Sequence, residues 1–127
     1  MILGVGVDLV EITRVRRLLE KRGDRVLARL FTEGERAYAD YRVDPARHLA
    51  GRIAAKEAAF KALAGNDLAR GIGWRELEVF TRSDGGPLLR LHGRAERRAQ
   101  ELGVTRIHVT ISHTNATAVA MVVLERE

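Results

Sequence analysis

Asp8, Glu57 and Lys61 are the residues of this 127-residue chain that most resist a purely structural reading. Glu57 and Lys61 stand four apart in a segment of mostly small and apolar residues. A helix there would put them in one sector with Ala50, Ile53, Ala54 and Ala64. On an exposed surface such a pair adds about 0.2–0.5 kcal/mol to a helix. On an apolar face, taking a carboxylate out of water costs on the order of several kcal/mol, which one ammonium rarely offsets. A bound cation would offset it better.

A second carboxylate is available from Asp8. Met1–Asp8 alternates as a strand does, with Leu3, Val5 and Val7 on one face and Gly4, Gly6 and Asp8 on the other. Asp8 at a strand-to-helix junction can simply cap the helix, whereas two side-chain-free positions on its own face favour close approach of a ligand. Carboxylate oxygens, with no cysteine in the chain, favour a hard ion. Mg²⁺ takes one or two carboxylates and fills its shell with water and substrate phosphate. Arg52 and Lys56, four apart beside Glu57, are either a solvated flank or the cations that neutralise that phosphate. His113, Thr114 and Asn115 follow a run in which Val109, Ile111 and His113 alternate with Thr110, Ser112 and Thr114; three hydrogen-bonding side chains at one turn could hold phosphates.

The elements that must carry these groups read as follows. A strand over Met1–Asp8 leads into a helix over Glu11–Arg22 with Val15, Leu18 and Leu19 inward, closed by Gly23. A short helical pattern covers Val26–Leu30. Thr32 and Glu35 have the spacing of a capping box opening a helix to about Tyr41. Asp44 and Pro45 read as N-cap and first residue of a long helix to Ala64, with alanine at 46, 50, 54, 55, 58, 59, 62 and 64 and Gly51 equally small. Small residues around the whole circumference imply close packing on more than one side. Trp74–Thr81 and Pro87–His92 read as a hairpin turning at Ser83–Gly86, Arg94–Leu102 as a helix, and Arg106–Ser112 with Ala116–Glu125 as a final antiparallel pair. The order is α+β: a largely antiparallel sheet with helices packed on one side, in one domain spanning 1–127.

Composition narrows the partners. A formal charge of +5 favours an anionic one, whether nucleic acid, phosphorylated small molecule or acidic protein. No apolar run approaches the roughly 20 residues of a membrane span, and no leader pattern precedes Asp8. The chain reads as cytoplasmic, without a membrane partner. Lack of cysteine excludes a disulfide framework, a zinc–thiolate site and a thiol nucleophile.

Three segments together resemble the holo-acyl-carrier-protein synthase family, the short, single-repeat 4'-phosphopantetheinyl transferases: Gly4-Val5-Gly6-Val7-Asp8-Leu9 with Arg14, Leu49-Ala50-Gly51-Arg52-Ile53-Ala54-Ala55-Lys56-Glu57-Ala58 with Lys61, and Thr110-Ile111-Ser112-His113-Thr114. They occur in the family's order and spacing over nearly the full chain. The resemblance implies transfer of the 4'-phosphopantetheine group from coenzyme A to a serine of apo-acyl carrier protein in fatty acid biosynthesis, with release of 3',5'-ADP. It implies Mg²⁺ on Asp8 and Glu57, and coenzyme A contacts from Arg52, Lys56, Lys61, Pro87, His113 and Thr114. It also implies a homotrimer with active sites at subunit interfaces. Two departures stand out: Gly86 occupies the place between glycine and proline where related sequences commonly carry lysine, and Tyr41–Arg47 matches poorly, leaving Arg47 or His48 as substitutes for a contact to the 3'-phosphate.

On this reading the serine attacks the β-phosphate in line, and Asp8, Glu57 and Lys61 are the catalytic residues. Lys61 stabilises charge near the leaving group, and Glu57 or Asp8 orients the water that takes the proton. Arg14, Arg17 and Lys21 form a basic stripe on the first helix, suited to an acidic acyl carrier protein. Nucleic acid is not expected as a partner, because only 5% of residues are aromatic and none interleave with the basic ones in a binding motif. A serine hydrolase built on Ser112 and His113 fails because strand neighbours point to opposite faces.

Overall fold

The computed structural model describes residues 1–127, and the element that organises it is α4, Pro45–Leu63. Proline at the first helical position fixes the entry, since its missing N–H is not needed there. Ala50, Ala54, Ala55, Ala58 and Ala59 are all fully buried. With so little side chain, neighbouring backbones come close on several sides of the helix.

Against it lies a three-stranded antiparallel sheet in the order β1 (Ile2–Glu11), β5 (Thr117–Glu125), β4 (Arg106–His113). In β5, Ala118, Ala120, Val122 and Leu124 alternate inward and are buried. In β1 the inward set is Gly4, Gly6 and Asp8. A Cβ on Gly4 would overlap the carbonyl oxygen of Ala62, and one on Gly6 that of Ala58. The close approach expected of these glycines is therefore made by the α4 backbone and not by a ligand.

The valines of β1 face the other way. Val5, Val7 and Leu9 are 55%, 49% and 68% exposed, and they pair across the sheet with Val123, Met121 and Val119. The outer face of β1 and β5 is apolar, and on β4 it gives way to His108, Thr110 and Ser112, the partners of Val123, Met121 and Val119.

The remaining helices are α1 (Ile12–Arg22), α2 (Asp24–Leu30), α3 (Glu33–Asp40), α5 (Asp67–Arg70) and α6 (Gly93–Leu102). The hairpin β2 (Leu77–Thr81) and β3 (Pro87–Leu91) forms a separate two-stranded sheet. Gly23 ends α1 at φ 41°, a backbone conformation glycine adopts without penalty. Thr32 and Glu35 form the expected capping box.

Three expectations shift. Trp74–Glu76 is a tight helical turn, so the strand starts at Leu77. The first strand continues past Asp8 to Glu11. Asp44 does not cap α4: Arg16 Nη2 donates to both of its oxygens at 3.0 Å, tying α1 to the α3–α4 connection.

Candidate active site

Asp8 comes from β1 and Glu57 from α4, two elements held together by the close approach of Gly6 to Ala58 and of Gly4 to Ala62. Both carboxylates border a cavity of about 470 Å³, whose other walls include Arg14, Leu18, Ile53 and Trp74. Lys61 reaches across from α4. Its Nζ donates to Asp8 Oδ1 at 3.0 Å and to the Val7 carbonyl at 2.9 Å. The intrahelical Glu57–Lys61 pair weighed from spacing alone does not form, because Asp8 takes the ammonium.

Burial pushes the Glu57 carboxyl above its usual range, and the Asp8 charge pushes in the same direction; Lys61 and Arg14 oppose it. Two acidic groups thus share one side of an open cavity with their repulsion only partly relieved. No third His, Cys, Asp or Glu joins them as a ligand cluster. That donor set fits a hard divalent ion that completes its shell with water and substrate oxygens.

Arg14 was expected on a docking stripe, yet it also lines this cavity and lowers the Glu57 pKa. Arg17 and Lys21 are exposed on the same helix.

Lys56 requires a correction. Although adjacent to Glu57, it points into the interior and is fully buried. Its Nζ donates to Glu35 Oε1 at 2.8 Å and to the carbonyls of Trp74 and Leu77 at 2.9 and 2.6 Å. All three ammonium protons are used, so none remains for a coenzyme A phosphate. Glu35 is equally enclosed: Oε1 also accepts from Thr32 N and Oε2 from Val79 N. Spacing marked Glu35 only as a capping residue, and nothing local identifies its second role.

Arg52 is not on a solvated flank either. It is 6% exposed, donates from Nη2 to Thr81 Oγ1 at 2.9 Å and stacks on Tyr38 at 4.3 Å from the ring centroid. It lies about 140° around the helix from Glu57 and opens on a different cavity. His113 is exposed at the end of β4. The Thr114 hydroxyl accepts from the amides of Ala116 and Thr117 and closes the turn, leaving its own proton free. Pro87 opens β3 opposite Thr81. The His48 imidazole is pushed below its usual range, first by burial and then by Arg52, Arg42, Arg47 and His113. Those residues form one basic neighbourhood, of which only Arg42 is not singled out by the sequence.

Two carboxylates and a lysine beside one open cavity, set in a mixed helix and antiparallel-sheet fold, fit a metal-assisted enzyme, and comparison gives its class. The model of the 4'-phosphopantetheinyl transferase superfamily matches residues 4–121, and the chain belongs to that family. Holo-[acyl-carrier-protein] synthase of Alkalilimnicola ehrlichii is 52% identical over 126 residues, covering 98% of each chain. The crystal structure of holo-[acyl-carrier-protein] synthase from Neisseria meningitidis superposes with a TM-score of 0.87 at 29% identity, covering 99% of this chain and 100% of that one. The Bacillus anthracis synthase, solved in complex with CoA (3',5'-ADP), matches at TM-score 0.79 and 32% identity over 100% and 99% of the two chains.

Proposed function

We propose that this chain is the holo-acyl-carrier-protein synthase of its source. It transfers the 4'-phosphopantetheine group from coenzyme A to a serine of apo-acyl carrier protein. The serine Oγ forms a bond to the phosphorus bearing pantetheine, the bond from that phosphorus to the bridging oxygen breaks, and 3',5'-ADP leaves with the electron pair. The observation that carries the site assignment is the presence of Asp8 and Glu57 together at one open cavity, with Lys61 bonded to Asp8.

Mg²⁺ is the metal this donor set fits; Asp8 and Glu57 would hold it, and it would neutralise charge on the diphosphate of coenzyme A. The protein's own groups do the rest. Lys61, with one proton free beyond its two bonds, offers a cation to the departing phosphate oxygen. Glu57 or Asp8 orients the water that takes the serine proton. Arg14 sits between the cavity and the exposed stripe of Arg17 and Lys21, which supports docking of an acidic carrier protein along α1.

Homotrimeric assembly with sites between subunits is supported by the apolar outer face of β1 and β5, where Val5, Val7, Leu9 and Met121 are exposed. Surfaces of that kind mark interaction sites. Within one chain, moreover, Asp8 and Glu57 border one cavity while Arg52 borders another. A single transferase domain over 1–127 is supported by α4, whose residues contribute to each of the three apolar clusters. No helix is long and apolar enough to cross a membrane, and we read the site of action as the cytoplasm.

The test is incubation with apo-acyl carrier protein, coenzyme A and Mg²⁺, with a chelator control, followed by mass spectrometry of the carrier. Gain of one phosphopantetheine group, lost with chelator, is expected. An unmodified carrier across several candidates would overturn the reading.

A further inference from the structure

Lys61 has two acidic neighbours, Asp8 and Glu57, and bonds one of them. Glu57 stands four residues earlier on the same helix, the spacing and order at which a glutamate and a lysine ordinarily pair. The Lys61 Nζ nevertheless donates to Asp8 Oδ1 at 3.0 Å and to the carbonyl oxygen of Val7 at 2.9 Å. A lysine that only neutralised acidity would pair with Glu57 as readily. The main-chain acceptor beside Asp8 makes the difference.

That acceptor is a fixed point. Val7 belongs to β1, an edge strand of its sheet, and is paired there with Met121 of β5. β1 meets α4 at two places whose helix residues bracket Lys61: Gly6 lies against the Ala58 carbonyl and Gly4 against that of Ala62. No side chain separates strand from helix at these points, so backbone contact sets the distance that the lysine stem spans. The ammonium is held by the strand main chain, and the Asp8 carboxylate rests against it. The Lys61 side chain is 55% exposed, so its removal leaves the core intact.

A carboxylate fixed at one oxygen presents the other in a set direction. Oδ1 of Asp8 is taken by Lys61, and Oδ2 accepts no hydrogen bond. Carboxylates that ligate metals are themselves hydrogen-bonded, and losing such a partner typically costs about 10–100-fold in metal affinity. We infer that Lys61 is a positioning residue for Asp8: anchored on the Val7 carbonyl, it fixes the carboxylate so that Oδ2 is free for a divalent cation. The inference rests on the reading of Asp8 and Glu57 as the metal-holding pair. The positive charge of the lysine repels such a cation, so its two effects on metal binding have opposite signs.

That opposition makes the inference testable by binding alone. Mn²⁺ is the probe, because carboxylate and water ligands suit it as they suit Mg²⁺, and its free form is counted by electron paramagnetic resonance. Wild type, Lys61→Met and Arg14→Met proteins are titrated; Arg14 borders the same cavity and bonds neither carboxylate. Lys61→Met is expected to raise the Kd for Mn²⁺ by about tenfold or more, although it removes a cation. Arg14→Met, which removes a cation without touching Asp8, is expected to lower the Kd or leave it unchanged. A folded Lys61→Met protein that binds Mn²⁺ as tightly as the wild type, or more tightly, overturns the proposal, as does equal weakening in Arg14→Met. A wild type that binds Mn²⁺ and modifies no carrier overturns the transferase reading and leaves this one standing. A wild type that binds no Mn²⁺ overturns the metal assignment and this proposal together.

Discussion

Lys56 Nζ lies 2.8 Å from Glu35 Oε1, with both side chains wholly removed from solvent, and the pair joins α4 to the start of α3. Further bonds from the same two groups reach Trp74, Leu77 and Val79, so one ion pair ties the helix carrying Glu57 to the hairpin. Burial drives the Lys56 pKa down while Glu35 holds it up. Each charge is tolerable only because the other is present.

Replacing Lys56 with methionine leaves the Glu35 carboxylate buried without its counter-charge. A loss of about 3–5 kcal/mol is expected, readable by urea denaturation. If Lys56 served a phosphate instead, Lys56→Met would keep its stability and lose affinity for coenzyme A.

Glu57 has the reverse economy. Its folded pKa is raised, so the folded state holds the proton to higher pH than the unfolded chain does. Stability therefore falls as pH climbs from the ordinary glutamate range through the raised value. Glu57→Gln should remove that decline and melt higher than the wild type at neutral pH without metal. It should also abolish any rise in melting temperature on adding Mg²⁺. For Glu57→Ala, turnover should drop by at least about 10²–10³-fold; near-normal turnover at saturating Mg²⁺ would remove this residue from the mechanism.

Arg17→Glu offers a cleaner probe of carrier docking than Arg14→Glu, since Arg14 also borders the cavity with Glu57. The expected result is a higher KM for carrier protein, a weaker dependence on salt and an unaltered KM for coenzyme A. An unaltered carrier KM would move the docking surface elsewhere.

Charge on the outer sheet face should break the assembly. Val7→Glu combined with Met121→Glu places carboxylates opposite one another on paired strands. Sedimentation should report a trimer for the wild type and a monomer for the variant; if both run alike, the face serves another purpose.

Much of this was legible in the residues themselves. Capping at Thr32–Glu35, the proline start of α4 and the alternation of β5 each follow from local chemistry, and so does the isolation of Glu57 and Lys61 among alanines. What could not be read was direction across the third dimension. Arg52, Lys56 and Glu57 belong to one short motif, yet helical rotation sends them to a hairpin cavity, an interior ion pair and the open cavity that Asp8 also borders. Their neighbours Thr81, Glu35 and Asp8 lie 29, 21 and some fifty residues away, where spacing carries no signal. Glycine beside Asp8 was likewise open to two readings, since a ligand and a helix backbone both demand an absent Cβ.

The glycine face of β1 has a consequence for how the gene tolerates change. In saturation mutagenesis most buried strands reject polar residues and accept small ones, but here even alanine should be purged at Gly4 and Gly6, where a single methyl would strike the Ala62 and Ala58 carbonyls. Val5 and Val7, one residue away, point away from α4 and meet no such limit from its backbone. A mutational fitness map of this segment would thus show its strictest positions at the residues with the least chemistry of their own.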